Sequence, residues 1–152
     1  MNHLVYCAGH GVGEVIHKEY KQDFDKNFLT IKVLTNGMKV LYPEDSSKFR
    51  DLSEKETLNK LYSFLKEIPE NVSNATWNRR HREYLSQAQD NDIFSVANVL
   101  RDLMFLETKK RLCFGEKKMK DLVLSLLIGE VSLINHISKE EAKKEILNLF
   151  NE

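Results

Sequence analysis

Residues 28–43 have the sequence FLTIKVLTNGMKVLYP, in which an Asn-Gly pair separates two apolar-rich runs. The first run alternates apolar and polar residues and places three apolar side chains on one face: Leu29, Ile31 and Val33. Asn36-Gly37 tolerates the positive φ values of a type I′ turn, so the pattern predicts a β-hairpin closed by that turn. Pro43 lacks a backbone N–H and is expected to end the second strand.

The residues before this hairpin predict further strands and a loop. Residues 4–7 form a short apolar run that ends at the glycine cluster of residues 9–13, GHGVG. Residues 15–16 continue as strand, and the polar stretch 18–27 suits an exposed loop. Four or five short strands of this kind predict a small barrel-like β module.

Beyond Asp51 the apolar residues recur with a helical period. Ser53 and Glu56 have the spacing of a capping box, so a first helix is expected to begin there and to stop at Pro69. Four more helices are expected: from about Thr76 to Gln89, from Asp92 to Glu107, from Gly115 onward, and after a second capping box at Ser138 and Glu141.

The change of period divides the chain into two predicted domains. Residues 1–51 form the β module, and residues 52–152 form an all-helical bundle of four to five helices. The sequence therefore predicts an α+β fold.

Composition limits the classes of function. The chain has 152 residues, of which 41% are hydrophobic and 30% are charged, and its 23 basic residues balance 23 acidic ones. With no net charge, any attraction to nucleic acid must be local. There is no apolar run of membrane-spanning length and no signal-peptide pattern, and only two cysteines occur. These features predict a cytoplasmic protein with no membrane partner.

Motifs for chemistry are weak in this sequence. The glycine cluster lacks the Gly-Lys-Ser/Thr ending of a phosphate-binding loop, so we interpret it as a tight turn. His3, Cys7 and His10 do not have the spacing of a zinc site. No nucleophile with an identifiable base and orienting residue is present, nor a paired-carboxylate motif. We therefore predict a protein that is not an enzyme and has no metal, cofactor or small-molecule substrate.

The sole tryptophan lies in a basic stretch, TWNRRHR, at residues 76–82. Basic charge at a helix N-terminus opposes the helix dipole, but Arg side chains beside exposed N–H groups can bind phosphate. Residues 77–120 contain ten basic and six acidic side chains, a net charge of +4 in a neutral protein. This asymmetry indicates nucleic-acid contact.

Two alternatives remain open for this stretch on the residues alone. Trp77, His81, Leu85 and Ala88 have helical spacing, so Trp77 also fits an apolar stripe of the core. The basic residues also fit a solvated helix face.

Several motifs, with their mutual spacing, resemble the CarD/CdnL family of bacterial transcription regulators. They are TWNRR at residues 76–80, VANVLRDL at 96–103, GEKKM at 115–119 and LIGE at 127–130. Residues 5–13 and the hairpin that follows are similar to the polymerase-interacting module of that family.

The resemblance implies a Tudor-like β module that docks on the β subunit of RNA polymerase. It implies that the helical domain lies at the upstream edge of the promoter bubble, where Trp77 wedges into the minor groove. Basic residues would hold the phosphate backbone without reading sequence, and the matching positions are Arg79, Arg80, Arg82 and Lys117. Such a protein stabilises the open complex because it binds that state preferentially.

The sequence departs from the family in its N-terminal part, where residues 18–27 also lose clear alignment, and it leaves other functions open. The family usually has Pro after its N-terminal Tyr, whereas this chain has Cys7-Ala8. One alternative is a protein-interaction module whose helical domain binds another protein instead of DNA. Another is a fragment related to the transcription-repair coupling factor, although the absence of a P-loop argues against motor activity.

Overall fold

The structure is a computed structural model that describes residues 3–69 and 77–151, with Asn78 described by its backbone alone. In these residues five strands are followed by five helices, so the predicted α+β fold is confirmed. The strands are β1 (His3–Cys7), β2 (Gly11–Lys21), β3 (Lys26–Val33), β4 (Lys39–Pro43) and β5 (Phe49–Asp51). The helices are α1 (Lys55–Lys66), α2 (Trp77–Ala88), α3 (Ile93–Glu107), α4 (Phe114–Ile134) and α5 (Lys139–Asn148).

The strands form one antiparallel sheet in the order β4-β3-β2-β1-β5, curled into a half-barrel. The predicted apolar face of β3 is confirmed, because Leu29, Ile31 and Val33 are all buried. Val5 and Cys7 of β1 pack in the same small core. A curled sheet of this kind is compatible with a Tudor-like module.

The polar stretch 18–27 is not a loop, so that prediction was wrong. It forms the far ends of β2 and β3, in which Lys18 pairs with Leu29 and Tyr20 pairs with Asn27, joined by a turn at residues 22–25. This ribbon extends beyond the core, so its side chains are mostly exposed and do not alternate. Backbone pairing holds it in place, which hydrophobic periodicity does not detect.

The hairpin between β3 and β4 is present, but its turn is not the predicted type I′. Only Gly37 has a positive φ, of 74°, and its N–H donates to the Val33 carbonyl at 2.8 Å. Asn36 instead uses its side-chain oxygen to accept the N–H of Met38 at 2.9 Å. This local bond favours a longer loop over the two-residue turn.

The helix caps follow the prediction in part. Ser138 accepts the N–H of Glu141 at 3.1 Å at the start of α5, as predicted. The prediction of a Ser53–Glu56 capping box was wrong, because Glu54 is the N-cap residue of α1 and makes no side-chain cap bond. Thr76, the predicted start of the second helix, lies outside the described residues.

The helices share a second, larger core in which α4 packs against α3 and α5 and also contacts β2. A polar, buried junction joins the two cores. Glu130 of α4 is fully buried and accepts the backbone N–H of Ser53 at 2.8 Å. The guanidinium of Arg50 lies 4.4 Å from the centre of the Tyr6 ring. The sheet and the helices therefore meet through specific contacts. The last strand ends at residue 51 and the first helix begins at residue 55, on the two sides of the change of period in the sequence.

Within the ranges described, no single helix is long and apolar enough to cross a membrane. Only α4 and α5 taken together meet the length and composition criteria, and they are bent by 114°.

Candidate nucleic-acid interface

Trp77 is the first residue of α2 and is half-buried. Its indole lies over the backbone of Gly115 on α4, where an added Cβ would collide with the indole nitrogen and lie 2.8 Å from Cε2. Within α2, the indole centre lies 5.1 Å from the His81 ring and 6.2 Å from the Tyr84 ring. Trp77 also packs against the helical core and is only partly exposed. Its burial therefore lies between the core interpretation and the exposed interpretation of its spacing.

Arg80 does not point into solvent. The residue is only 5% exposed, and its Nη2 donates to Oε2 of Glu116 at 2.6 Å. Glu116 is fully buried, and its other oxygen accepts bonds of 2.8 Å from Lys110 Nζ and from the N–H of Cys113. Arg80 thus joins α2 to the first turn of α4, beside the Gly115 backbone that supports the indole.

Glu116 is ionised at neutral pH despite its burial. Burial by itself would raise the pKa of this carboxyl, but hydrogen bonds from Lys110, the Cys113 N–H and Arg80 outweigh that effect and lower the pKa to about 2. Its negative charge lies at the N-terminus of α4, where it also complements the helix dipole. The carboxylate is therefore already neutralised by protein groups and adds little negative field at the surface.

Arg79, Arg82 and Lys117 are exposed, and none of them pairs with a carboxylate among the described residues. Arg79 and Arg82 are three residues apart on α2 and so lie on neighbouring positions of its surface. Lys117 directly follows Glu116, so the Arg80–Glu116 pair places it near the start of α2. These three cations and Trp77 form what we call the Trp77 patch.

Other basic residues counted in the sequence are already engaged. Arg101 stacks on the Phe64 ring at 4.0 Å and reaches Glu67, and Lys120 pairs with Glu107 at 2.8 Å. The unpaired positive charge is therefore more concentrated near the Trp77 patch than the net count of +4 indicated.

Sequence reasoning missed two features of this site. Glu116 was counted as an ordinary acidic residue, although the spacing of Cys113 and Glu116 is that of a capping box with Cys in place of Ser. Phe114, the first residue of α4, is a large exposed aromatic that its position in the sequence did not single out.

The Trp77 patch has the chemistry of a binding surface. An anchored indole offers a flat apolar surface, and the cations beside it can contact phosphates. Elsewhere in the described residues, His3 pairs with Asp51 at 2.7 Å and Cys7 is buried in the sheet. No group of three His, Cys, Asp or Glu side chains within that part of the chain could hold a metal ion.

Comparison with known proteins identifies a family model and a relative that match this chain. The family model described as the CarD C-terminal domain matches residues 60–147, a range that includes the Trp77 patch. A protein of Bacillus subtilis (strain 168) named "Putative transcription factor YdeB" is 25% identical over 146 residues. That match covers 93% of this chain and 95% of the relative.

Proposed function

This chain belongs to the CarD family and is a transcription regulator, and we propose that it binds both the β subunit of RNA polymerase and promoter DNA. In this proposal the helical domain contacts the upstream edge of the promoter bubble and stabilises the open complex. The protein acts by binding alone, because a ligand that prefers one state of an equilibrium shifts the population toward it.

The observation that carries the proposal is the Trp77 patch. An indole that is held against Gly115 and remains partly exposed can enter the minor groove without losing much side-chain freedom. Apolar wedges in the minor groove unstack neighbouring base pairs, and a ring held at the fork opposes their re-annealing. Cations around the indole supply contacts to the phosphate backbone that are independent of sequence.

The four basic residues have different roles in this proposal. Arg79, Arg82 and Lys117 contact phosphates directly, because they are exposed and have no carboxylate partner among the described residues. Arg80 is a positioning residue: its bond to Glu116 holds the start of α2 against α4. The requirement for Arg at residue 80 is therefore structural.

The polymerase-binding surface in this proposal is the free edge of β4. The sheet has two edge strands, and β5 has only three residues and lies beside the helices through Arg50. Met38 and Glu44 flank β4 and both hydrogen-bond to the strand side of β3. Hydrogen bonds alternate along an antiparallel pair, so the even-numbered residues of β4 bond to β3 and the N–H of Leu41 points outward. The Leu41 side chain is itself 48% exposed. An added strand from the partner would complete this edge.

Two substitutions at one position test the β4 edge. Leu41→Pro removes the outward N–H without removing a ladder bond, whereas Leu41→Ala keeps that N–H and removes only the side chain. Pull-down of the purified polymerase β lobe by the full-length protein should be weakened much more by Leu41→Pro than by Leu41→Ala. Equal retention of both variants would place the docking surface elsewhere.

Open-complex lifetime tests the DNA half of the proposal. Polymerase–promoter complexes formed with the wild-type protein are challenged with a competitor, and the decay rate is compared with that for Trp77→Ala. We expect faster decay with the variant, together with unchanged binding to the polymerase β lobe. Thermal unfolding of the same variant separates this effect from loss of the fold.

Two results would contradict the DNA half of this proposal. Normal decay kinetics in a folded Trp77→Ala protein would exclude the wedge. Binding of the helical domain to another protein, with indifference to DNA, would support the protein-interaction alternative.

A further inference from the structure

Phe114 is a large aromatic side chain that the fold does not use. It is the first residue of α4 and 72% exposed, whereas Leu112 and Met119 on either side of it are buried. A single exposed apolar residue is ordinary on a protein surface, so its exposure alone indicates nothing. Its position next to the Trp77–Gly115 contact is what makes Phe114 a candidate for DNA binding.

Phe114 is the chain neighbour of the residue that supports the indole. Consecutive Cα atoms are 3.8 Å apart, so the Phe114 backbone lies within one residue of the Trp77–Gly115 contact. The two aromatic residues, one from α2 and one from α4, therefore lie at the same end of the helical domain. One nucleic acid bound across this end of the domain could therefore reach both residues.

The charge around Phe114 is strongly positive. Residues 109–118 contain five basic side chains and one acidic one, Glu116. That carboxylate is buried and already bonded to Arg80 and Lys110. The Lys118 ammonium lies 4.9 Å from the centre of the Phe114 ring. An exposed aromatic ring among cations is the combination found where proteins stack on unpaired bases.

We propose that Phe114 stacks on an unpaired nucleobase at the edge of the promoter bubble, next to the base step that Trp77 opens. The inference rests on the proposed function, because it takes the Trp77 patch to be a DNA-binding surface. Opening of a base step exposes a base face, and an aromatic ring can stack on any base because every base has a π-face. The site therefore favours melted DNA over duplex without selecting its sequence.

Binding of the full-length protein to two DNA probes tests this inference. One probe is a duplex, and the other is the same duplex with a central mismatched bubble. Phe114→Ala should weaken binding to the bubble probe by about 5- to 150-fold, the range for one base–aromatic stack, with a much smaller effect on the duplex. Phe114→Tyr should retain the preference for the bubble and Phe114→Leu should lose it, because stacking requires an aromatic ring.

Two controls accompany these variants. Phe24→Ala removes another exposed aromatic, 63% exposed in the turn between β2 and β3, and should leave both affinities unchanged. Thermal unfolding of Phe114→Ala should match the wild type, because an exposed ring contributes little to folding.

The outcomes separate this inference from the proposed function. If Trp77→Ala loses DNA binding while Phe114→Ala keeps wild-type affinity for the bubble probe, the Phe114 inference fails and the proposed function stands. An equal loss on both probes would mean that Phe114 contacts the backbone, which also overturns it. If the wild-type protein binds neither probe even at low salt, the Phe114 inference fails, and the proposed function is then decided by the open-complex lifetime.

Discussion

Arg50 of β5 donates two parallel hydrogen bonds to the two carboxylate oxygens of Glu130 on α4, at 2.8 and 2.9 Å. The same guanidinium donates through Nε to the carbonyl of Asn91 at 2.5 Å. A two-pronged bond of this kind fixes direction as well as distance. The Arg50–Glu130 pair therefore ties the last strand of the sheet to α4 in a defined direction.

Removal of the charge on Glu130 should destabilise the whole chain. Glu130→Gln leaves the partly buried Arg50 without its counter-charge, and breaking a buried ion pair costs roughly 3–5 kcal/mol. We expect a value at the lower end of that range, because the Arg50 side chain retains some contact with water. Urea unfolding measures the free energy directly.

Glu44→Gln is the matched control for this prediction. Glu44 forms a 2.7 Å pair with Lys18 in which both side chains are about half exposed, so its loss should cost less than about 1 kcal/mol. Similar costs for the two variants would show that the Arg50–Glu130 pair does not hold the sheet to the helices.

Periodicity predicted most of the fold because the buried faces repeat. The face of β3 that carries Ile31 and the helices α3 and α5 follow the pattern of apolar residues closely. The ribbon at residues 18–27 was missed, since it buries little and is specified by backbone pairing. The predicted Ser53–Glu56 capping box is absent, and the backbone N–H of Ser53 instead donates to Glu130, which is 77 residues away.

The candidate site was predictable only in its composition. The basic stretch around Trp77 is evident in the sequence, but the sequence does not show which of its arginines are exposed and which are bonded within the protein. Arg79 and Arg80 look equivalent along the chain, yet one is exposed and the other is bonded to Glu116, which is 36 residues away. Such long-range pairing has no local signature, so the roles of neighbouring arginines can be separated only in three dimensions.

Gly115 should control the position of the indole. A Cβ at this residue has no room beneath Trp77, so Gly115→Ala must displace the ring. Trp77 is the sole tryptophan, so intrinsic fluorescence reports on this ring alone. We expect emission at longer wavelength and stronger quenching by acrylamide in Gly115→Ala, together with a shorter open-complex lifetime.

Gly129→Ala is the control for the Gly115 prediction. Gly129 lies in the same helix, and nothing lies within 4 Å of a Cβ added there. Alanine should therefore stabilise α4 by about 0.5–1 kcal/mol and leave the emission unchanged. An unaltered spectrum in Gly115→Ala would mean that the indole is not seated on this backbone.

The exposed cations should set the salt dependence of DNA binding. Each phosphate contact releases counterions, so the plot of log K against log salt for duplex DNA has a negative slope. This slope should become shallower by about 0.9 in each of Arg79→Ala, Arg82→Ala and Lys117→Ala. Lys144→Ala, which removes an exposed cation from α5, should leave the slope unchanged. Arg80→Ala should lower stability instead, because it leaves Glu116 short of a partner. A slope that changes equally for Arg79→Ala and Lys144→Ala would contradict this assignment.

Acid should weaken the fold through Glu116. Its pKa is about 2 in the folded protein against an ordinary value of 4.5, so the folded state favours the ionised form. The resulting stabilisation is fully present above pH 4.5 and is lost as the pH falls toward 2; a shift of this size corresponds to on the order of 3 kcal/mol. The free energy of unfolding, measured with urea at several pH values, should be lower for Glu116→Gln than for the wild type at pH 7, and this gap should narrow below pH 4.5.

Glu107→Gln, which removes the exposed partner of Lys120, is the control and should differ little from the wild type at any pH. A gap for Glu116→Gln that stays constant down to pH 2 would show that the carboxylate is not held ionised by Arg80 and Lys110.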